Sequence, residues 1–351
     1  RLVIINARAA SNLGATICTR TLCLGAKRHK KHWRLKLRNE ETGDTYEILA
    51  RALINAGGPW VDRVLTGIDT GSNTASDAKL RLVKGSHIVI PRFTDCQSND
   101  AYILQNTDGR VIFVLPFESR FFLIGTTDVP YQGNPQDVCI DNAEISYLLN
   151  VVSRFFKLKP TLKDIRWSFS GVRPLYNDND NASASELTRD YRLQLDAEES
   201  RPPLLTIIGG KLTTYRRLAE ETLEKLTPSL GITHGPWTAS KTLPGGDFPA
   251  DDVIEYTKGL VHRYKKWDQK LITGLVKRHG TCAEDVIGDA RKLEEMGKHI
   301  GNDLYEREVA YMSTNEWAKT PEDILWRRTK TGIHLSTSER QIAAETVAEI
   351  I

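Results

Sequence analysis

The pattern that most restricts the fold occurs twice: a short apolar run, then a glycine pair, then apolar residues at helical spacing. Ala52-Leu53-Ile54-Asn55-Ala56 leads into Gly57-Gly58-Pro59-Trp60, followed by Val61, Val64 and Leu65. Leu204 to Ile208 leads into Gly209-Gly210-Lys211, followed by Leu212, Tyr215, Ala219, Thr222, Leu223 and Leu226. A period that switches from strand to helix across two glycines predicts a short buried strand, a tight turn and a helix. Pro59 suits the first helical position, where its missing N–H costs nothing. Such a turn presents unpaired N–H groups and the positive end of a helix, and glycine lets a polar group approach the backbone closely. Either junction alone is weak evidence, because tight β-to-α turns use glycine for steric reasons with or without a ligand.

Between and around these junctions the chain reads mainly as β. Ala15 to Leu24, His32 to Leu37 and Thr45 to Ala50 alternate and are separated by polar stretches, predicting an antiparallel meander with a turn at Gly43. Arg81 to Pro91, Ala101 to Gln105, Arg110 to Pro116 and Arg120 to Gly125 are rich in Val, Ile and Phe, with Asp108-Gly109 as a turn, and predict a larger sheet. Asp141 and Glu144 have capping-box spacing ahead of Ile145, Leu148, Leu149, Val152 and Phe156, a helix that should cover that sheet. Beyond Leu243-Pro244-Gly245-Gly246 the pattern turns to amphipathic helices, Val253 to Tyr264, Lys270 to Arg278 and Ser338 to Ile350, so a domain boundary is placed near Pro236. At 351 residues the chain can hold at least two cores.

Charge excludes several functions. The 48 Lys and Arg against 45 Asp and Glu leave a net +3, which gives no support for nucleic-acid binding, and the run Lys27-Arg28-His29-Lys30-Lys31-His32 reads as a solvated loop. Cys18, Cys23, Cys96, Cys139 and Cys282 include no C-x-x-C pair, so neither a structural metal site nor a disulfide framework is expected. No apolar stretch approaches the roughly 20 residues that span a bilayer.

The chemistry is concentrated in four cationic or titratable residues: His87 in Lys84-Gly85-Ser86-His87, Arg173 in Ser170-Gly171-Val172-Arg173-Pro174-Leu175, Arg189 in Thr188-Arg189-Asp190-Tyr191, and Lys211 after the second glycine pair. Cations flanked by apolar or glycine-rich sequence point to an anionic substrate. The planar fork of Arg holds phosphate or carboxylate oxygens in pairs, and Lys supplies a mobile point charge. The competing explanation is structural: Arg189 pairs with Asp190 or Asp196 on a surface strand, and His87 is a satisfied core histidine.

Five strings, in order, resemble the respiratory FAD-dependent glycerol-3-phosphate dehydrogenases: Leu53-Ile54-Asn55-Ala56-Gly57-Gly58-Pro59-Trp60-Val61, Arg81-Leu82-Val83-Lys84-Gly85-Ser86-His87-Ile88, Ile124-Gly125-Thr126-Thr127-Asp128, Ser170-Gly171-Val172-Arg173-Pro174-Leu175 and Gly209-Gly210-Lys211-Leu212-Thr213-Thr214-Tyr215-Arg216. Leu325-Trp326-Arg327-Arg328-Thr329-Lys330 extends the resemblance into the C-terminal domain. It implies an α/β plus α protein of D-amino-acid-oxidase-like architecture, incomplete in its FAD domain. The expected parts are a partial FAD domain with the meander (1–80), a β-rich substrate domain (81–200), a returning strand and helix of the FAD domain (201–235) and an all-α domain (236–351).

The resemblance further implies FAD contacts from Asn55, Ala56, Gly57, Gly58, Trp60, Gly210, Lys211, Leu212 and Thr213, and a substrate pocket built from His87, Arg173, Arg189 and Lys211. The reaction implied is hydride removal from C2 of glycerol 3-phosphate to flavin, giving dihydroxyacetone phosphate. His87 is the preferred base, with Lys211 or Arg173 holding the substrate oxygen. The electrons would go to a membrane quinone from a peripheral position on the cytoplasmic face, and a homodimer is admitted. One departure is serious. No G-x-G-x-x-G follows a strand anywhere in the chain, so a nucleotide-binding start is expected ahead of Arg1, and the chain by itself is expected to bind FAD weakly and to be inactive. Two alternatives stay open: a related flavoenzyme acting on amines or amino acids, and a non-catalytic binding module on the same fold.

Overall fold

The computed structural model describes residues 1–69, 80–93, 99–176, 190–197, 201–248 and 252–351. The chain divides into two compact units, one of Arg20–Ala239 and one of Arg1–Thr19 with Ser240–Ile351. The first helix, α1 (Leu2–Asn12), thus belongs with the C-terminal residues.

The Arg20–Ala239 unit opens with the meander, β1 (Thr21–Arg28), β2 (Trp33–Asn39) and β3 (Thr45–Ala50). Alternation expected from Ala15 becomes strand only at Thr21; residues 15–18 carry no regular structure and 19–20 form a turn. One face carries Ala26, Trp33 and Leu35 into a small core, where the Arg28 guanidinium lies over Trp33 and pairs with Asp196 at 2.9 Å. The basic run is the β1–β2 turn, with Lys30 and Lys31 exposed and Arg28 buried.

Next come β4 (Leu53–Asn55), α2 (Val61–Thr66) and β5 (Ile68–Asp69), the last pairing parallel with β1. The large sheet contains β6 (Leu80–Pro91), β7 (Tyr102–Gln105), β8 (Val111–Phe117), β9 (Phe121–Gly125), β10 (Val129–Pro130) and β11 (Trp167–Tyr176). Long β6 is its axis: β11 runs antiparallel along one edge, while β9 and β10 share the other, followed by β8 and β7. Helix α3 (Asn142–Phe155) covers one face, and its Leu148, Leu149 and Val152 join Ile88, Ile90, Ile112, Val114, Phe122 and Ile124 in the main core. The expected capping box is present, Asp141 accepting from the Glu144 N–H at 2.9 Å and Glu144 from the Asp141 N–H at 3.1 Å.

A third sheet, β12 (Arg192–Asp196), β13 (Leu204–Ile208) and β4, pairs β13 parallel with β4, Leu204 opposite Leu53. Helix α4 (Tyr215–Leu230) follows. Two burial expectations are corrected here. Of β4 only Asn55 is buried, since Ile54 is 42% exposed, and Leu212 and Leu223 of the supposed apolar stripe of α4 are exposed while Thr222 and Leu226 are buried.

The second unit is helical: α5 (Val253–Arg263), α6 (Gln269–His279), α7 (Ala283–Ile287), α8 (Glu306–Glu316), α9 (Thr331–His334) and α10 (Thr337–Ile350). The expectation of an all-helical domain misses one hairpin, β14 (His299–Gly301) with β15 (Leu304–Tyr305). Leu325-Trp326-Arg327-Arg328 lies in a π-helical turn, Asp323–Arg328. A buried ionic cluster holds the helices together. Arg278 donates to Glu308 at 2.6 and 2.8 Å and to Asp303 at 2.8 Å, His279 Nε2 sits 2.8 Å from Glu308, and Arg1 donates to Glu316 at 2.8 Å. Burial opposes charge on both glutamates, yet Arg278 and His279 bring Glu308 down to about 2, and His279 and Arg1 bring Glu316 down to about 2.

Candidate active site

The face of the large sheet away from α3 is where His87 and Arg173 meet. Strict alternation along β6 sends Lys84, Ser86, Ile88 and Ile90 toward α3 and Gly85 and His87 to the other side. In register across five strands, Ile103, Phe113, Gly125, His87 and Phe169 form one transverse row. His87 rests on Gly125, where an added Cβ would fall 2.2 Å from the imidazole Cδ2, and it stacks on Phe169 with ring centroids 4.9 Å apart and planes inclined by 10°.

The adjacent row is Gly85 opposite Gly171, two residues without side chains, and a Cβ at Gly171 would meet nothing within 4 Å. The next row pairs Val83 with Arg173. The Arg173 guanidinium folds back over Gly85, within 2.5 Å of where a Cβ would be. Its Nη1 donates to Asp128 Oδ1 at 2.8 Å and its Nη2 to Thr126 Oγ1 at 3.0 Å. The guanidinium thus covers Gly85, and of the bare glycine row only Gly171 is left open.

Burial pushes the His87 pKa below its ordinary value, and the positive charge of Arg173 pushes it further the same way. The ring is therefore neutral at pH 7 and able to accept a proton. Its Nδ1 is buried with no hydrogen-bond partner among the described residues. A buried polar atom without a partner is costly, so the ring is not the satisfied core histidine of the structural alternative.

Because β4 and β13 run parallel, the two glycine junctions leave the sheet at the same end. Gly58, Gly209 and Gly210 have φ of 55°, 74° and 109°, where L side chains are strained, so each turn depends on glycine. At the first junction Asn55 is a brace: its Nδ2 donates to the Val61 carbonyl at 3.0 Å and its Oδ1 accepts from the Gly57 N–H at 3.1 Å. At the second, a Cβ on Gly209 would come 3.0 Å from the Asp190 carbonyl and 3.5 Å from that of Pro174, which ties this junction to the Arg173 end of β11. Lys211 lies 3.2 Å from Asp190. Ala56, Trp60 and the run Gly210, Lys211, Leu212, Thr213 are exposed, and Gly57 and Gly58 half-buried.

This accessible ledge of glycine backbone fits one edge of a planar, polar-rimmed group such as the flavin ring. The open Gly171 position and the orphaned imidazole lie on the neighbouring sheet. Arg189 falls outside the described residues, as does Cys96. Gly85, Thr126, Asp128 and Phe169 were not singled out as site residues from the sequence. The resemblance placed Gly85, Thr126 and Asp128 inside matching strings, whereas Phe169 had no signal at all.

Residues 1–216 match the family model described as FAD dependent oxidoreductase, and the chain belongs to that family. Residues 236–351 match the model described as the C-terminal domain of alpha-glycerophosphate oxidase. Among relatives, the chain is 42% identical over 345 residues to D-erythritol 1-phosphate dehydrogenase of Brucella abortus, covering 98% of this chain and 67% of that one. It is 44% identical over 340 residues to glycerol-3-phosphate dehydrogenase of Pseudomonas aeruginosa, covering 97% and 65%. The chain thus spans about two thirds of the length of these relatives. The solved glycerol-3-phosphate dehydrogenase of Bacillus halodurans complexed with FAD shares the fold, with a TM-score of 0.77 at 23% identity over 100% of this chain and 72% of that one.

Proposed function

We propose that the protein to which this chain belongs oxidises sn-glycerol 3-phosphate to dihydroxyacetone phosphate and passes the electrons to a membrane quinone from the cytoplasmic membrane surface. The observation that carries the reading is the open position at Gly171, in the sheet that also bears the His87 imidazole, whose Nδ1 has no partner among the described residues, and an arginine fork folded over Gly85. In this reading His87 takes the proton of the C2 hydroxyl, for which a ring neutral at pH 7 is suited. Arg173 and Lys211, with Arg189, hold the phosphate and the oxygen that gathers charge as that proton leaves.

FAD, held by the Gly57-Gly58 and Gly210-Lys211-Leu212-Thr213 backbone, supplies the two-electron acceptor when bound. The chain's own residues bind, orient and deprotonate. Phe169 and Gly125 confine the imidazole, and Thr126 and Asp128 aim the guanidinium. No described helix is long and apolar enough to cross a membrane, and a surface-docked enzyme needs none.

The charge count argues for phosphate less strongly than the sequence suggested, because Arg173 and Lys211 each lie against a carboxylate. The relatives' names carry more weight, and both denote phosphorylated polyols. The test is the visible spectrum of the protein made from its complete reading frame, under anaerobic conditions. Bleaching of the flavin band by glycerol 3-phosphate and not by amino acids is expected. Preferential bleaching by D-erythritol 1-phosphate would move the substrate to the longer polyol, and indifference to both would overturn the reading.

A further inference from the structure

We infer that Glu144 and Thr127, on the covered side of the sheet, are positioning residues that set the orientation of Arg173 for phosphorylated substrate. The inference rests on the function proposed above. As the third residue of α3, Glu144 completes a capping box, and one carboxylate oxygen accepting from the Asp141 N–H is enough for that. A residue with only this task is ordinarily exposed, whereas Glu144 is 4% exposed. Burying a carboxylate costs several kcal/mol unless it is paired and fully hydrogen-bonded, so the remaining contacts need a reason.

Those contacts reach the strands that carry the site. Glu144 Oε2 lies 2.8 Å from the buried Lys84 ammonium, and Oε1 accepts from Ser86 Oγ at 2.9 Å and from Thr127 Oγ1 at 2.6 Å. Thr127 Oγ1 in turn accepts from the Ser86 N–H at 2.9 Å, and Ser86 Oγ is 2.8 Å from Ser170 Oγ. One carboxylate therefore ties together three segments, 84–86, 126–128 and 170. Each has its functional neighbours on the opposite face: Gly85 and His87 beside Ser86, Thr126 and Asp128 beside Thr127, Phe169 beside Ser170. Thr126 and Asp128 are the residues that hold the Arg173 fork. Because the two faces alternate along the same backbone, a shift of Thr127 behind the sheet moves both anchors of Arg173 in front of it.

The test uses the full-length enzyme with Thr127→Val, which keeps the shape and removes the hydroxyl, with Thr127→Ser, which restores it, and with Glu144→Gln. Thr127→Val and Glu144→Gln are expected to raise KM for the phosphorylated substrate about tenfold with kcat changed by less than about threefold, the signature of lost binding that does not distinguish ground from transition state. Affinity for inorganic phosphate, measured by calorimetry, falls in parallel, flavin content is unchanged, and Thr127→Ser returns KM to within about twofold of the parent. A parent enzyme that glycerol 3-phosphate fails to reduce would remove the function and this inference with it. A parent that works, alongside a Thr127→Val enzyme with unaltered KM and phosphate affinity, would overturn the inference alone, as would loss of flavin and of kcat together in all three variants.

Discussion

The imidazole of His87 lies nearly parallel to the ring of Phe169, 4.9 Å away, and its other flank is closed by the backbone of Gly125. The ring is thus held between an aromatic face and a residue that cannot be enlarged. Gly125→Ala places a methyl group 2.2 Å from Cδ2 and forces the imidazole out of its row. An ångström of misplacement costs about 100-fold in rate, so kcat/KM should fall by about that factor with flavin content retained. Steady-state kinetics with phosphorylated substrate checks it.

Titration of His87 gives a second prediction. Burial first, and then Arg173, lower its pKa in the folded protein below the ordinary value of 6.5. The folded state therefore binds fewer protons than the unfolded state between the two values. Stability contributed by the neutral ring is complete above the unfolded value and declines as pH falls from there toward the folded one. A histidine-resolved NMR titration should place the midpoint below 6.5, and the acid limb of kcat/KM should coincide with it. A midpoint at or above the ordinary value would remove His87 as a base ready at neutral pH.

The buried ionic cluster of the helical unit gives a third prediction, in acid. Glu308 and Glu316, both without solvent exposure, stand at about 2 against an ordinary 4.5. Their contribution to stability is present above the unfolded value and is lost as pH falls from about 4.5 toward 2. Replacing Glu308 by Ala leaves Arg278 buried without its main partner and should cost about 3–5 kcal/mol in denaturant unfolding at neutral pH. The same substitution should cost much less at pH 2.

Asn55 braces the first glycine junction through two hydrogen bonds, so its removal acts on shape before chemistry. Asn55→Ala leaves the Val61 carbonyl and the Gly57 N–H without these partners, at about 1–3 kcal/mol. The loosened turn should hold flavin more weakly, which fluorescence titration of the released cofactor reads directly. The substrate KM should change less than the flavin affinity.

Periodicity exposed the elements that feed one core: β6, β8, β9 and α3 stand where their apolar residues put them. It failed where burial in a core is missing. Leu2-Val3-Ile4-Ile5 is an unbroken apolar run without a helical period, yet it starts α1, a helix with no buried residue to impress its period on the chain. Glu308 and Glu316 look like the solvated face of an amphipathic helix, and only the packed structure brings His279 and two arginines to them. The site was legible in the same uneven way. His87 and Arg173 stood out by residue type, but the floor beneath them, Gly125 and Gly85, depends on register between strands far apart in sequence. Glu144 was visible only as a cap, since nothing local announces that its second oxygen meets Ser86 and Thr127.

The parallel pairing of β4 with β13 has a consequence for how the molecule comes into being. Leu53 meets Leu204, so about 150 residues must be made before the first junction finds its neighbour, roughly 8–30 s at ordinary translation speeds of 5–20 residues per second. Throughout that interval a short strand with an unpaired edge waits on the ribosome beside the glycine turn it will later support. The ledge proposed to receive the flavin thus matures only after the residues of the meander and of the large sheet are made, and a nascent chain stalled before residue 204 would carry these yet no completed place for the cofactor to rest.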